Sequence, residues 1–290
     1  MQPVSGLKPS AVRAGAEIGT TIDQEQSMLD DSVMAKYEHV KATIKMLESV
    51  VVAFSSGIDS TLVLKAALEV LPRDKVLAVT ADSPIFPREE LEAAAVIADA
   101  LGAEHLFVES GETRLPQFAE NTSERCYLCK RNFYSIFAST AVERGFNAVV
   151  DGTNLDDKTD DRPWLRILDE LGIVSPLFEA RLSKREVIEL SDTFGLEINK
   201  PLYLCLASRF STGIPIDIDK MEQLYEVERW LLRQGVSETF IHHHHEDVAR
   251  VIVFPENIAR VAEPVVRDEL VARLKSLGFK HVTLDLEGKF

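Results

Sequence analysis

The segment Phe54-Ser55-Ser56-Gly57-Ile58-Asp59-Ser60-Thr61 puts small side chains, hydroxyls and one carboxylate into a single turn. Small residues let backbone N–H groups converge on phosphate oxygens, and a helix starting just beyond adds its positive end. Ser55, Ser56, Gly57, Ser60 and Thr61 would form the nucleotide cradle, with hydroxyl donors from Ser55, Ser60 and Thr61. Asp59 is a poor direct phosphate ligand but suits holding Mg²⁺ or orienting the loop. No Lys follows in the Walker A manner. An ordinary strand-to-helix turn capped by Asp or Ser would look the same locally, so the place of the turn in the fold has to decide.

A second constellation is the cysteines, of which there are three: Cys126, Cys129 and Cys205. Spacing i, i+3 on a helix puts Cys126 and Cys129 on one face. Alone, such a pair also fits a redox disulfide or two small buried hydrophobes. Ser208 and Arg209 follow Cys205 closely, and Arg209 reads as either an anion contact beside that thiol or a surface residue. Asp156, Asp157, Asp160 and Asp161 make an acidic turn. The run Ile241-His242-His243-His244-His245 invites a metal reading, but on a strand only His242/His244 and His243/His245 share a face. Two ligands do not close a site.

The elements that must position these groups alternate. Ser49–Phe54 is a short continuous apolar run, as for a strand buried on both faces. A helix over 60–71, a strand over 76–80, a helix over 89–101, a strand over 105–108, a helix over about 125–144 and a strand over 148–151 follow. That alternation predicts an α/β fold with a doubly wound parallel sheet. The Phe54–Thr61 turn then lies where ligands bind such sheets, at a strand's carboxyl end, which favours the phosphate loop. Ser183 to Glu186 is a capping box for one more helix, ended by Gly195. Beyond about residue 210 the order becomes α-β-β-α-β: a helix capped at Asp219 and running to 233, strands over 239–244 and 250–254, a helix over 264–277 and a strand over 281–286. The expected organisation is a disordered tail over 1–32, a nucleotide domain over 33–208 and a small α+β domain over 209–290.

Composition narrows the partners. The net charge is -15, from 47 acidic and 32 basic residues in 290. Nucleic-acid binders rely on basic surfaces to neutralise phosphates, so a small-molecule substrate is favoured. No run reaches the ~18 apolar residues of a membrane span. Few cysteines in odd number, and no apolar signal segment, point to a reducing, cytoplasmic compartment.

Several segments together resemble one family. The Ser55–Ser60 turn is similar to the SGGxDS signature of PP-loop ATP pyrophosphatases, with Ser56, the signature's second residue, in place of a Gly. Arg125-Cys126-Tyr127-Leu128-Cys129-Lys130, Asp151-Gly152-Thr153-Asn154-Leu155-Asp156-Asp157, Asp161-Arg162-Pro163, Ser175-Pro176-Leu177 and Cys205-Leu206-Ala207-Ser208-Arg209 resemble, in order, the motifs of LarE-like sulfur transferases. The resemblance implies a PP-loop (adenine nucleotide α-hydrolase-like) domain and adenylylation, by ATP with Mg²⁺, of a carboxylate of pyridinium-3,5-biscarboxylate mononucleotide. Sulfur delivery then gives a thiocarboxylate destined for a nickel-pincer nucleotide. Three-cysteine members are thought to hold a four-iron, four-sulfur (4Fe-4S) cluster, so the resemblance implies Cys126, Cys129 and Cys205 as its ligands, with Cys205, Asp59 and Arg209 catalytic. Ser208, Arg209, Arg250 and His243 are the implied substrate contacts. Relatives assemble into oligomers, which implies a homo-oligomer here.

The chain departs from the family at Ser56, at Trp164 after Pro163, at Ile188, and at Ile241 and His243, where relatives carry arginines. Neutral histidine offers one donor where arginine offers a charged fork. Two other functions stay open on sequence: PP-loop chemistry on a different acceptor (tRNA thiolation, NAD synthesis or amidation), and a non-catalytic paralogue that binds nucleotide or a cluster.

Overall fold

A computed structural model describes residues 30–158, 165–196, 205–237 and 239–288. Most of the expected tail, and the stretch from Asp160 to Trp164, lie outside the described residues.

The first sheet consists of β1 (Val50–Ala53), β2 (Val76–Asp82), β3 (Glu104–Glu109) and β4 (Ala148–Val150), all parallel, in the order β3-β2-β1-β4. Val50, Val51 and Val52 are fully buried, as the continuous apolar run requires. One face is covered by α1 (Asp31–Leu47), α2 (Ile58–Val70), α3 (Arg88–Leu101) and, after the short α4 (Pro116–Ala119), by elements further along the chain. The other face is covered by α5 (Arg125–Arg144) through Tyr134, Phe137 and Ala141, and by α6 (Arg166–Leu171) through Ile167 and Leu168. The short α7 (Pro176–Glu179) and α8 (Lys184–Thr193) return to the first face through Leu177, Val187 and Leu190. Ser183 and Glu186 form the reciprocal capping box that starts α8. Helices on both faces make the sheet doubly wound, as predicted.

Helix α1 was not anticipated from the sequence. Its buried Val33, Tyr37, Val40 and Ile44 recur at helical spacing, and Asp30 caps it by accepting from the Ser32 N–H at 2.9 Å, so the helix starts within the last residues assigned to the tail.

The second sheet has the order β5-β6-β7, from β5 (Phe240–His244), β6 (Val248–Ile252) and β7 (His281–Leu284). β5 and β6 are antiparallel, while β6 and β7 are parallel. α9 (Ile218–Arg233), α10 (Ile258–Ala262) and α11 (Pro264–Ser276) complete this unit. Ile241, Ala249 and Val251 pack against Leu224, Leu231, Leu270 and Leu274. Two expectations are corrected here. Asp217, not Asp219, caps α9; its backbone is extended and its carboxylate accepts from the Lys220 N–H at 3.0 Å. β6 begins and ends two residues earlier than expected, because the chain turns at Phe254-Pro255. A further apolar cluster joins Ile85, Phe118 and Cys129 to Leu206, Phe210, Ile214 and Met221.

Candidate active site

The phosphate loop leaves the carboxyl end of β1 and enters α2. Connections from β1 lead to β2 on one side, while β4 lies on the other, which makes the β1 end a switch point, where such sheets bind ligands. Ser60 Oγ is 3.1 Å from Ser55 Oγ and donates to the Gly57 carbonyl at 3.1 Å. Ser56 is fully buried with φ at +54°, in the left-handed region. Its Oγ donates to the Ser55 carbonyl at 2.6 Å. The family's preference for Gly at this position therefore has a conformational reason. Thr61 Oγ1 is buried, with no hydrogen-bond partner.

Asp59 orients the loop through two partners. Asn154 Nδ2 donates to Oδ1 at 3.1 Å, and Lys184 Nζ lies 2.5 Å from Oδ2. Asn154 Oδ1 in turn accepts from the Asp156 and Asp157 N–H groups at 2.9 and 3.3 Å. A Cβ on Gly152 would come within 2.8 Å of the Ser60 nitrogen, so only glycine lets the 151–157 loop approach α2 this closely. Asp151 is buried and fully engaged: Tyr134 and Ser175 hydroxyls donate to it at 2.9 and 2.7 Å, and Thr153 donates as well.

Ser55, Asp59 and Ser60 line one cavity of about 420 Å³ together with Cys126, Cys129 and Cys205. Two segments far apart in sequence bring the thiols there: the first turn of α5, and the short 3₁₀ turn over Leu206–Arg209. Cys126 is exposed, Cys129 buried and Cys205 half-buried. Burial pushes the Cys129 thiol up, and the nearby Cys205 adds to it. Burial raises Cys205 too, opposed by the Ala207 N–H and then by the Arg125 charge. Arg125 Nη1 donates to the Ala207 carbonyl at 3.0 Å, and Nη2 lies 3.5 Å from Cys126 Sγ.

Among the described residues, no three His, Cys, Asp or Glu side chains are grouped to share one metal ion. A cubane cluster binds each thiolate through a different iron and leaves one iron open. Three thiols lining one cavity are the donor set that such a cluster would need.

Three of the expected contacts are corrected. Arg209 is not an open anion contact: its side chain is buried, with Nη2 2.8 Å from Glu228 Oε2 and Nε 3.1 Å from Oε1. Its Nη1 donates to the Cys205 carbonyl at 3.2 Å, so it supports the cysteine turn. His243 faces the interior of the second sheet, between Phe210 and Phe279 at ring distances of 5.5 and 5.0 Å. Burial depresses its basicity, and a strand position whose neighbour Ile241 is fully buried cannot present an arginine-like cation to solvent. Arg250 pairs with Asp285 on the second sheet and does not line the cavity. Ser208 sits beside Arg209, 3.5 Å from its Nη1. His242 and His244 do share a face, at a ring distance of 6.1 Å, with Arg250 paired across from His242. A neighbouring cation disfavours a metal ion there.

Residues that carry the site but escaped the sequence reading are Asn121, Arg125 as a clamp, and the buried Glu112, which accepts from Ser83 and Ser110. Each also reaches a partner far away in sequence (Ser211 for Asn121, Ala207 for Arg125, Ser83 for Glu112), and no local pattern announces those contacts.

A family model described as NAD synthase matches residues 32–135. The chain is 40% identical over 249 residues to the pyridinium-3,5-bisthiocarboxylic acid mononucleotide synthase of Lactiplantibacillus plantarum, covering 85% of this chain and 89% of that one. It is 37% identical over 255 residues to an uncharacterized protein of Synechocystis sp., covering 88% and 94%. An uncharacterized protein of Methanocaldococcus jannaschii is 28% identical over 240 residues, covering 83% and 90%. No described helix is long and apolar enough to cross a membrane.

Proposed function

The chain belongs to the LarE-like family of ATP-using PP-loop enzymes, and from that premise we propose that it is a sulfur transferase acting on a pyridinium carboxylate mononucleotide. The supporting observation is the single cavity that joins the phosphate loop to all three cysteines.

In this reading, the N–H groups of Ser55 to Gly57 and the hydroxyls of Ser60 and Thr61 hold the nucleotide phosphates at the α2 N-terminus. Asp59, held by Asn154 and Lys184, fixes the loop and meets Mg²⁺ when the nucleotide enters. A substrate carboxylate oxygen attacks the α-phosphorus of ATP, pyrophosphate leaves, and an acyl-adenylate forms. Sulfide sulfur then adds to the acyl carbon, and AMP leaves with the former carboxylate oxygen. Cys126, Cys129 and Cys205 would hold a 4Fe-4S cluster, which would carry the transferable sulfide. Arg125 favours the ionised Cys205 needed for such binding. Arg209 keeps the Cys205 turn in place, while Ser208 remains a substrate contact in this proposal. The protein works as a homo-oligomer in the cytoplasm.

The test is anaerobically reconstituted protein given MgATP, the pyridinium dicarboxylate mononucleotide and sulfide, with pyrophosphate and thiocarboxylate measured together. Many turnovers of both, lost on Cys205→Ala, are expected. Nucleotide binding with neither product would overturn the reading.

A further inference from the structure

Resting on the reading that the three cysteines act together, we propose that Asn121 is the positioning residue that registers Cys205 against Cys126 and Cys129. These thiols come from segments about eighty residues apart in sequence, so some contact has to fix one segment on the other. Asn121 lies four residues before Arg125, the first residue of α5, and is almost completely buried. Its Nδ2 faces three carbonyl oxygens of the segment that follows Cys205: Phe210 at 3.2 Å, Ser211 at 2.9 Å and Ile214 at 2.8 Å. Its own carbonyl accepts from the Gly213 N–H at 2.9 Å, and the Ala119 carbonyl accepts from the Ile216 N–H at 2.9 Å.

The other end of the amide points to the cysteine helix. Asn121 Oδ1 accepts from Arg125 Nη1 at 2.7 Å, and the same nitrogen donates to the Ala207 carbonyl. One buried amide thus joins the turn that leads into α5 to the turns that follow Cys205, and so links the two segments whose thiols line the cavity. Donor and acceptor ends are not interchangeable, since only an N–H₂ can face three carbonyls while an oxygen faces a guanidinium. The backbone adds a second constraint. Asn121 has φ at +52°, a region that Asn tolerates better than most residues with a Cβ.

Two substitutions separate these roles. Asn121→Gly keeps the left-handed backbone and removes the amide. Asn121→Asp keeps the shape but sets a carboxylate oxygen against three carbonyls. The readout is bridging of Cys129 to Cys205 by dibromobimane in reduced, iron-free protein carrying Cys126→Ser, which leaves those two thiols alone. The ratio of bridged to singly alkylated product is measured beside thermal melting. A general loosening would speed alkylation of both thiols and lower the melting temperature; misregistration lowers the ratio itself.

The expected result is a fall of about tenfold in the ratio, the scale of one or two net hydrogen bonds lost, in the Gly variant with cooperative melting retained. The Asp variant should fall further, and if it fails to fold the Gly variant carries the test. A parent that does not bridge, or a Gly variant within about threefold of it, overturns the proposal. Iron content after reconstitution is read separately. A parent that bridges but takes up no iron sinks the cluster reading and leaves the Asn121 clasp standing.

Discussion

Arg209 Nη2 and Glu228 Oε2 lie 2.8 Å apart with both side chains almost fully buried. The Glu228 carboxylate has a further donor, the Ile241 N–H at 2.8 Å, so one ion pair ties the Cys205 turn to α9 and to β5. Removing one partner leaves the other as an uncompensated buried charge. Arg209→Ala should cost about 3–5 kcal/mol of stability, read by denaturant unfolding. The paired replacement Arg209→Met with Glu228→Leu should recover much of that loss, because neither charge then needs a partner. Equal costs for the single and paired variants would refute the ion-pair account.

Ser56 is the place where this chain departs most visibly from its family in the loop that meets ATP. Its left-handed backbone carries a cost for any residue with a Cβ. Ser56→Gly should stabilise the protein by about 0.5–1 kcal/mol, reduced by the loss of the 2.6 Å bond to the Ser55 carbonyl. Pyrophosphate release should be retained or faster. A variant that unfolds more easily would mean that the hydroxyl bond outweighs the backbone strain.

The sequence made the parallel sheet legible because Val50–Val52 is a continuous apolar run followed by alternating helix-length and strand-length segments, and α5 runs from Arg125 to Arg144 as expected. The phosphate loop and the cysteines were legible as motifs. What stayed hidden was which side of an element a polar residue faces once tertiary packing acts. Arg209 follows Cys205 and reads as a ligand contact, yet a buried acid on α9 claims it. His243 aligns with a family arginine, yet the strand pleat turns it toward Phe210 and Phe279. Asn121 gave no signal, since its acceptors are backbone carbonyls about ninety residues away.

Asp59 is held between Asn154 and Lys184, and Gly152 makes room for that arrangement. Lys184→Met removes the ion pair at 2.5 Å without touching the phosphate turn itself. The loop should then lose orientation rather than fold, and pyrophosphate release should drop on the order of 10²-fold, as misplacement of a binding group typically does. Gly152→Ala should have a similar effect and add about 1–3 kcal/mol of destabilisation from overpacking. Steady-state pyrophosphate release and unfolding curves check both. Normal turnover in Lys184→Met would remove Asp59 orientation from the mechanism.

The histidine run makes stability depend on pH in a definite direction. His242 is pushed down to about 4, by burial first and then by His244, Arg209 and Arg250. Burial also leads the depression of His243 and His244. In the unfolded chain these rings protonate near the ordinary value of 6.5, whereas the folded protein holds them neutral to lower pH. Between those two values the unfolded state binds more protons, so stability rises with pH across the window. It is fully present above about 6.5 and is lost as pH falls from there toward 4. His242→Leu should flatten this slope by less than one proton, because the ring is only partly buried, while leaving stability above the window little changed. Urea midpoints at several pH values for the two proteins decide it: parallel curves through the window would show that His242 does not carry the dependence.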